Sequence, residues 1–230
     1  FHVGHIRGTS VGESIARIRE FCGDEVFRIN YSGDTGMHIA KWIWCYQKYH
    51  KNEKVNEDES WIAGIYVDAV KRLTENESLQ AEADEINRKI ESREDKKINS
   101  LWETTRKASI NSWKEIYKEL NTHFDKHYFE SEMEGSGKKI AKELLEKGIA
   151  KKDDAIFMDL KEYNLGVWVL LRRDDTVLYS AKDLALAIKK SKDFPADSYL
   201  VLVGDEQRLH FEQLKKTLEL MNFPKASSYN

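Results

Sequence analysis

Apolar residues first recur at helical spacing near the start of the chain. Val11, Ile15, Ile18 and Phe21 predict a helix ending near Gly23, and residues 26–31 then read as a short strand. Residues 1–3 stand where a strand would hand over to that helix, so strand, glycine-rich corner, helix and strand make a βαβ rhythm. Residues 37–49 read as another helix. From residue 59 to residue 124 the apolar positions keep the helical interval, with Ile62, Ile65, Ala69 and Leu73, then Ile98, Leu101, Trp102, Trp113, Ile116, Tyr117, Leu120 and Phe124. Such stripes are core faces of amphipathic helices. Ile140, Leu144 and Leu145 mark one more helix, closed by Gly148.

Beyond Gly148 the pattern turns alternating or continuous. Residues 155–158, 167–171 and 176–179 read as strands, the last two joined as a hairpin by Arg172-Arg173-Asp174-Asp175. A helix over 181–190, a buried strand over 199–203 and a helix over 206–221 complete a second βαβ-like half. The expectation is an α/β fold with a parallel sheet, interrupted by a mostly helical stretch.

Composition sharpens the division. Six of the twelve glycines (Gly4, Gly8, Gly12, Gly23, Gly33 and Gly36) lie in the first 36 residues, where the backbone turns tightly or comes close to a ligand. Residues 51–154 carry 20 Lys/Arg and 24 Asp/Glu, a far denser charge than either flank. We therefore expect residues 1–50 and 155–230 to be two halves of one domain, with 51–154 a solvated helical insertion. Two prolines, Pro195 and Pro224, leave the preceding chain free for uninterrupted helix. No run of about 18 apolar residues predicts a membrane span. Cys22 and Cys45 cannot build a disulfide framework and suit a reducing, cytoplasmic setting. The chain opens at Phe1, so either a leader has been removed or the start lies upstream.

Candidate chemistry begins at His2-Val3-Gly4-His5. Two imidazoles at i and i+3 on a first helical turn point the same way, Gly4 lets backbone approach a ligand, and the free N–H groups of a helix start attract an anion. That combination suits the phosphates of a nucleotide in phosphoryl or nucleotidyl transfer. Zinc on His2 and His5 is a weaker alternative, because no further ligand follows at a suitable interval, so no metal site is expected. Two ordinary polar residues at a helix start is the third reading.

Residues 1–42, with His-Val-Gly-His in place of the His-x-Gly-His signature, resemble the first βαβ unit of the arginyl-tRNA synthetases, a family of class I aminoacyl-tRNA synthetases. The resemblance continues in order through residues 129–132, 159–166 and 178–187 (LYSAKDLALA), then Gly204-Asp205-Glu206-Gln207 with His210-Phe211. It implies a Rossmann-like nucleotide-binding domain. It further implies an arginine–tRNA ligase that joins L-arginine to ATP, accompanied by Mg2+, and passes the arginyl group to the 3′-terminal adenosine of tRNA(Arg).

The resemblance assigns roles residue by residue. His2, Gly4 and His5 match positions that hold ATP, the two histidines acting in catalysis. Gly204, Asp205 and His210 match the adenosine side, on the expectation that Gly204 and Asp205 end a strand at its carboxyl edge. Tyr179, Asp183 and Gln207 match arginine-binding positions; a carboxylate and an aromatic ring suit a planar guanidinium. For Asp183 alone, a dipole-favoured carboxylate near a helix start would serve as well. Asn30, Tyr31, Gly33, Asp34 and Gly36 match a loop beside the site, where Thr35 replaces the family's usual Trp.

Other parts of the family pattern are not in the sequence. No lysine loop of the Lys-Met-Ser type follows Gln207; Lys189-Lys190-Ser191-Lys192 precedes the expected strand and closes a helix, where lysines suit the dipole. The Asn- and Pro-containing lead-in and the anticodon-binding domain are missing as well, so the 230 residues alone are expected not to catalyse ATP–pyrophosphate exchange. A net charge of −3 shows no tRNA-binding surface in the sum, whereas phosphate contacts favour a basic one. Another nucleotidyltransferase with the same corner, or a non-catalytic synthetase-like binding module, are the alternative readings.

Overall fold

A computed structural model describes residues 3–229, and the chain forms two compact units. The first comprises residues 3–28 and 33–125; the second comprises residues 29–32 and 126–229.

The first unit is helical. Helix α1 spans Val3–Phe21, α2 Met37–Cys45 continuing through a π-helical turn at Tyr46–His50, α3 Glu59–Glu75, α4 Gln80–Ser92 and α5 Lys96–Glu119. The expected helical run is therefore three helices, and their starts are chemically marked. The Asp58 side chain accepts from the Ser60 and Trp61 amides ahead of α3, and Asp95 does the same for Lys97 and Ile98 ahead of α5. The core is built from Trp42, Ile43 and Trp44 of α2, Ile65 and Leu73 of α3, Ile90 of α4 and Ile98 and Trp102 of α5. Helix α1 forms as its spacing predicts, but Val11, Ile18 and Phe21 are exposed, so the stripe that marked the helix is not a core face within this unit. Val3 is already helical, and Phe1 and His2 lie outside the described residues.

Ion pairs hold α1 to the rest of its unit. Arg28 donates to Glu13 at 2.8 Å and to Glu20 at 2.7 Å, and its backbone exchanges hydrogen bonds with Asp125 at 2.7 and 2.8 Å. Thr122 adds a 2.7 Å bond to Glu13. Burial alone would raise the Glu13 carboxyl, but hydrogen bonds from Arg28, Thr122 and Arg17 outweigh it and hold the group down to about 2.

The second unit contains both sheets. Strand β1, Ile29–Ser32, pairs in parallel with β2, Lys126–Phe129, in the register Tyr31 to Tyr128. Helix α6, Glu130–Glu146, follows, and the chain turns at Gly148 with φ +68°. Strands β3 (Lys151–Lys152), β4 (Ile156–Asp159) and β5 (Val167–Leu171) make an antiparallel sheet. Helices α7, Tyr179–Asp193, and α8, Arg208–Leu220, complete the unit. Met158, Leu160, Leu170, Leu171, Leu184 and Leu218 form its core.

Four expectations are corrected. The first strand lies at Ile29–Ser32 rather than 26–31. Residues 176–179 form only a single bridge from Val177 to Leu171, because the chain enters α7 at Tyr179. Residues 199–203 are not a strand: Tyr199 alone is buried, bridging to and stacking on Tyr229 at 4.8 Å, while Leu200, Leu202 and Val203 are exposed with no sheet beside them among the described residues. The second half is consequently an antiparallel sheet with helices, not a βαβ unit, and the parallel pairing joins β1 to β2 across the helical stretch.

Candidate functional site

Three of the expected site residues meet at the start of α7. Leu178 is extended at the N-cap and Tyr179 opens the helix, anchored there as the Ser180 hydroxyl donates to the Val169 carbonyl of β5. One turn on, Asp183 projects beside Tyr179, as i and i+4 positions on a helix do. His210, in the first turn of α8, reaches both. Its Nε2 lies 2.6 Å from Asp183 Oδ2, and its ring sits 4.8 Å from that of Tyr179. Asp183 and His210 are largely enclosed, with side chains 15% and 13% exposed, whereas Tyr179 is 60% exposed. The result is a shielded carboxylate next to an open aromatic face.

A fourth residue, which no motif marks, fixes the arrangement. Trp168 of β5, 4% exposed, donates from its indole Nε1 to His210 Nδ1 at 3.1 Å. An indole only donates, so Nδ1 must accept, which assigns the ring hydrogen to Nε2, facing Asp183. Trp168 and His210 are 42 residues apart and no motif links them. Lys190 is a fifth. It follows Asp183 by two turns on α7, a spacing that places both on one face; burial pushes its amine down to about 8, against the opposing pull of the Asp183 charge.

Close helix packing sets the position of α7. Gly137 of α6 is buried against it, and a Cβ at Gly137 would lie 2.8 Å from the Ala181 carbonyl oxygen, too close for any side chain. Lys182 pairs with Glu130 at 3.4 Å along the same contact. Farther down, the Tyr128 hydroxyl donates to Asp193 at 2.6 Å.

The other candidates are placed differently. Gly204 precedes a short 3-10 turn, Asp205–Gln207, and does not end a strand; Asp205 and Gln207 are exposed on that turn, which leads directly into the helix bearing His210. Asn30 and Tyr31 are in β1, paired with His127 and Tyr128 of β2. Asp34 is 4% exposed and is engaged within its own unit: its carboxylate takes 2.8 Å from Arg106, and its carbonyl accepts 2.6 Å from the Trp102 indole. That is an anchor for the loop, and Thr35 beside it is buried too. Gly36, at φ +96°, precedes α2 in a conformation that favours glycine. Gly4 and His5 occupy the exposed first turns of α1, and His2 lies outside the described residues. His5 belongs to the first unit and the Tyr179–Asp183–His210 cluster to the second.

The model of the family "tRNA synthetases class I (R), catalytic domain" matches residues 1–230. The arginine–tRNA ligase of Treponema denticola is 37% identical over 230 residues, covering 96% of this chain and 39% of that protein. The enzyme of the same name from Treponema pallidum is 34% identical over 233 residues, covering 98% and 39%. The crystal structure of arginyl-tRNA synthetase from Plasmodium falciparum superposes with a TM-score of 0.77 at 20% identity, covering 99% of this chain and 39% of that one, a likeness of fold. The chain thus spans about two fifths of the length of these relatives. Its α/β architecture is the Rossmann-like one of class I synthetases, and with the catalytic-domain model matched from end to end, the chain belongs to the arginyl-tRNA synthetase family.

Proposed function

We propose that the protein bearing this chain is an arginine–tRNA ligase. The arginine carboxylate attacks the α-phosphorus of ATP, pyrophosphate leaves, and the arginyl group of the adenylate passes to the 3′-terminal adenosine of tRNA(Arg). ATP enters as its Mg2+ complex, a substrate, and the thiols of Cys22 and Cys45, both free, suit work in the cytoplasm.

The observation that carries this reading is the Tyr179–Asp183–His210 cluster. A guanidinium is planar, always charged and rich in donors, and is best held by a shielded carboxylate and a flat aromatic surface. Asp183 supplies the first and Tyr179 the second, with Gln207 as a further polar contact from the turn ahead of α8. In this reading His2 and His5 stabilise charge developing on the phosphates, Gly4 lets the triphosphate approach the backbone, and Gly204, Asp205 and His210 border the adenosine. Residues 51–154 serve as the helical insertion between the two parts of the catalytic domain, 1–50 and 155–230. Regions of the same protein beyond this chain, including an anticodon-binding domain, carry the remaining tRNA contacts, which suits the net charge of −3 here.

The test is ATP–pyrophosphate exchange by the intact protein with each amino acid in turn. Exchange driven by arginine alone is the expected result. Exchange driven by a different amino acid, or none with arginine, would sink the proposal.

A further inference from the structure

Away from the residues assigned above, three ligand-type side chains converge in the first unit. Cys45 ends α2, His50 ends the π-helical turn and Asp68 lies on α3; one ligand atom from each falls within 4.8 Å of the other two. Cys45 Sγ is 3.5 Å from Asp68 Oδ2, and His50 Nε2 is 3.0 Å from the same oxygen. Cys45 is fully buried.

Two features show that this convergence is constructed. In a regular α-helix, positions five apart such as 45 and 50 would point about 140° away from each other at 3.6 residues per turn. The π-helical turn, with its i to i+5 bonding, brings them to one side, and such turns concentrate at functional sites. The supporting shell is also in place. Glu53 accepts from His50 Nδ1 at 2.6 Å and is itself held by the Trp61 indole at 2.7 Å. Arg72 donates to Asp68 at 2.8 Å and stacks 3.8 Å over Tyr49. A carboxylate on the far nitrogen of a histidine is the usual companion of metal-bound imidazole. It also fixes the hydrogen on Nδ1, so Nε2 and the Asp68 carboxylate face each other across 3.0 Å as two lone-pair bearers that need a cation between them. That cation is either a proton or a metal ion.

We propose that Cys45, His50 and Asp68 bind a divalent cation of the zinc class, with water as the fourth ligand. A thiolate, an imidazole and a carboxylate form a donor set for tetrahedral Zn2+ or Co2+ rather than for Mg2+ or Ca2+. Binding forms the metal–sulfur, metal–nitrogen and metal–oxygen bonds and releases the thiol proton, together with any proton on Nε2, to solvent. Arg72 and Glu53 stay where they are, one offsetting and one adding negative charge around the ion. The site ties α2 and its π-helical turn to α3 and does not depend on the proposed aminoacylation.

The experiment is a titration of the metal-stripped protein with Co2+ alone. The expected result is one equivalent bound, with the visible bands of tetrahedral cobalt and a near-ultraviolet thiolate-to-cobalt band. Cys45→Ser should abolish the thiolate band, while Cys22→Ser, at an exposed position, should keep it. Because Cys45→Ser could unfold a buried site, Glu53→Gln provides a second reading: it leaves all three ligands and should weaken Co2+ by ~10–100-fold. No thiolate band at one equivalent of Co2+, a band that survives Cys45→Ser, or unchanged affinity in Glu53→Gln would each overturn the site.

Discussion

His210 Nε2 lies 2.6 Å from Asp183 Oδ2 while its Nδ1 accepts from Trp168, so the imidazole is held between a donor it cannot turn from and a carboxylate it orients. The proposed guanidinium-binding oxygen pair is thereby aimed by a residue from a different helix, which is in turn aimed by a residue from a strand. Residues that hold a binding group in place contribute to affinity through geometry as well as contact.

Removing the Trp168 donor tests that chain. Trp168→Phe keeps an aromatic ring in the core but frees His210 to turn. Loss of one such hydrogen bond is worth about 1 kcal/mol, so the KM for arginine in pyrophosphate exchange should rise ~5-fold, with a smaller change in kcat. An unchanged KM would mean that His210 keeps its orientation without Trp168.

Gly137→Ala tests the contact that seats α7. A Cβ there would lie 2.8 Å from the Ala181 carbonyl oxygen and 2.9 Å from its carbon, both backbone atoms that cannot rotate away. Overpacking of this kind costs ~1–3 kcal/mol. The urea midpoint should fall with an unchanged slope, and arginine affinity should fall with it, because α7 carries Tyr179 and Asp183. A variant of normal stability would show that α6 and α7 have room to part.

The Glu13–Arg28 pair makes a prediction about pH. Glu13 titrates near 4.5 in an unfolded chain and near 2 when folded, so the unfolded state binds the proton first. Its contribution to stability is complete above 4.5 and is lost as pH falls toward 2. Urea midpoints measured over that range should decline less steeply in Glu13→Gln, which has no carboxyl to protonate. Equal slopes for the two proteins would remove Glu13 from the acid limb.

His5→Ala should slow arginyl-adenylate formation by ~10²-fold or more, the loss expected for one donor to a developing charge. Single-turnover kinetics of the intact protein with saturating ATP and arginine would measure it. An unaltered rate would take His5 out of the chemical step.

Much of this fold is legible in the sequence. Helices α3 and α5 follow the apolar spacing that predicts them, whereas the break that sets α4 apart between them has no such mark. Tyr179 and Asp183 are paired by i, i+4 spacing on α7, which local sequence specifies directly. The strands were less legible, because apolar alternation states that a segment is extended and not what lies beside it. Residues 199–203 show this, since Tyr199 finds Tyr229 while its neighbours find no partner strand. The contacts of His210 were hidden for a related reason: Trp168, Asp183 and His210 come from three elements, and only the fold brings them together. The Cys45–His50–Asp68 cluster was hidden by the π-helical turn, since helical arithmetic alone places Cys45 and His50 on different faces.

In the proposed site Asp183 holds the guanidinium of arginine. Steady-state exchange by the intact protein, wild type against Asp183→Asn, measures that contact. Truncating one partner of a shielded charge pair costs ~2–5 kcal/mol, so the KM for arginine should rise by about 30-fold or more while the KM for ATP stays within about 2-fold. An arginine KM unchanged by Asp183→Asn would remove Asp183 from the arginine pocket.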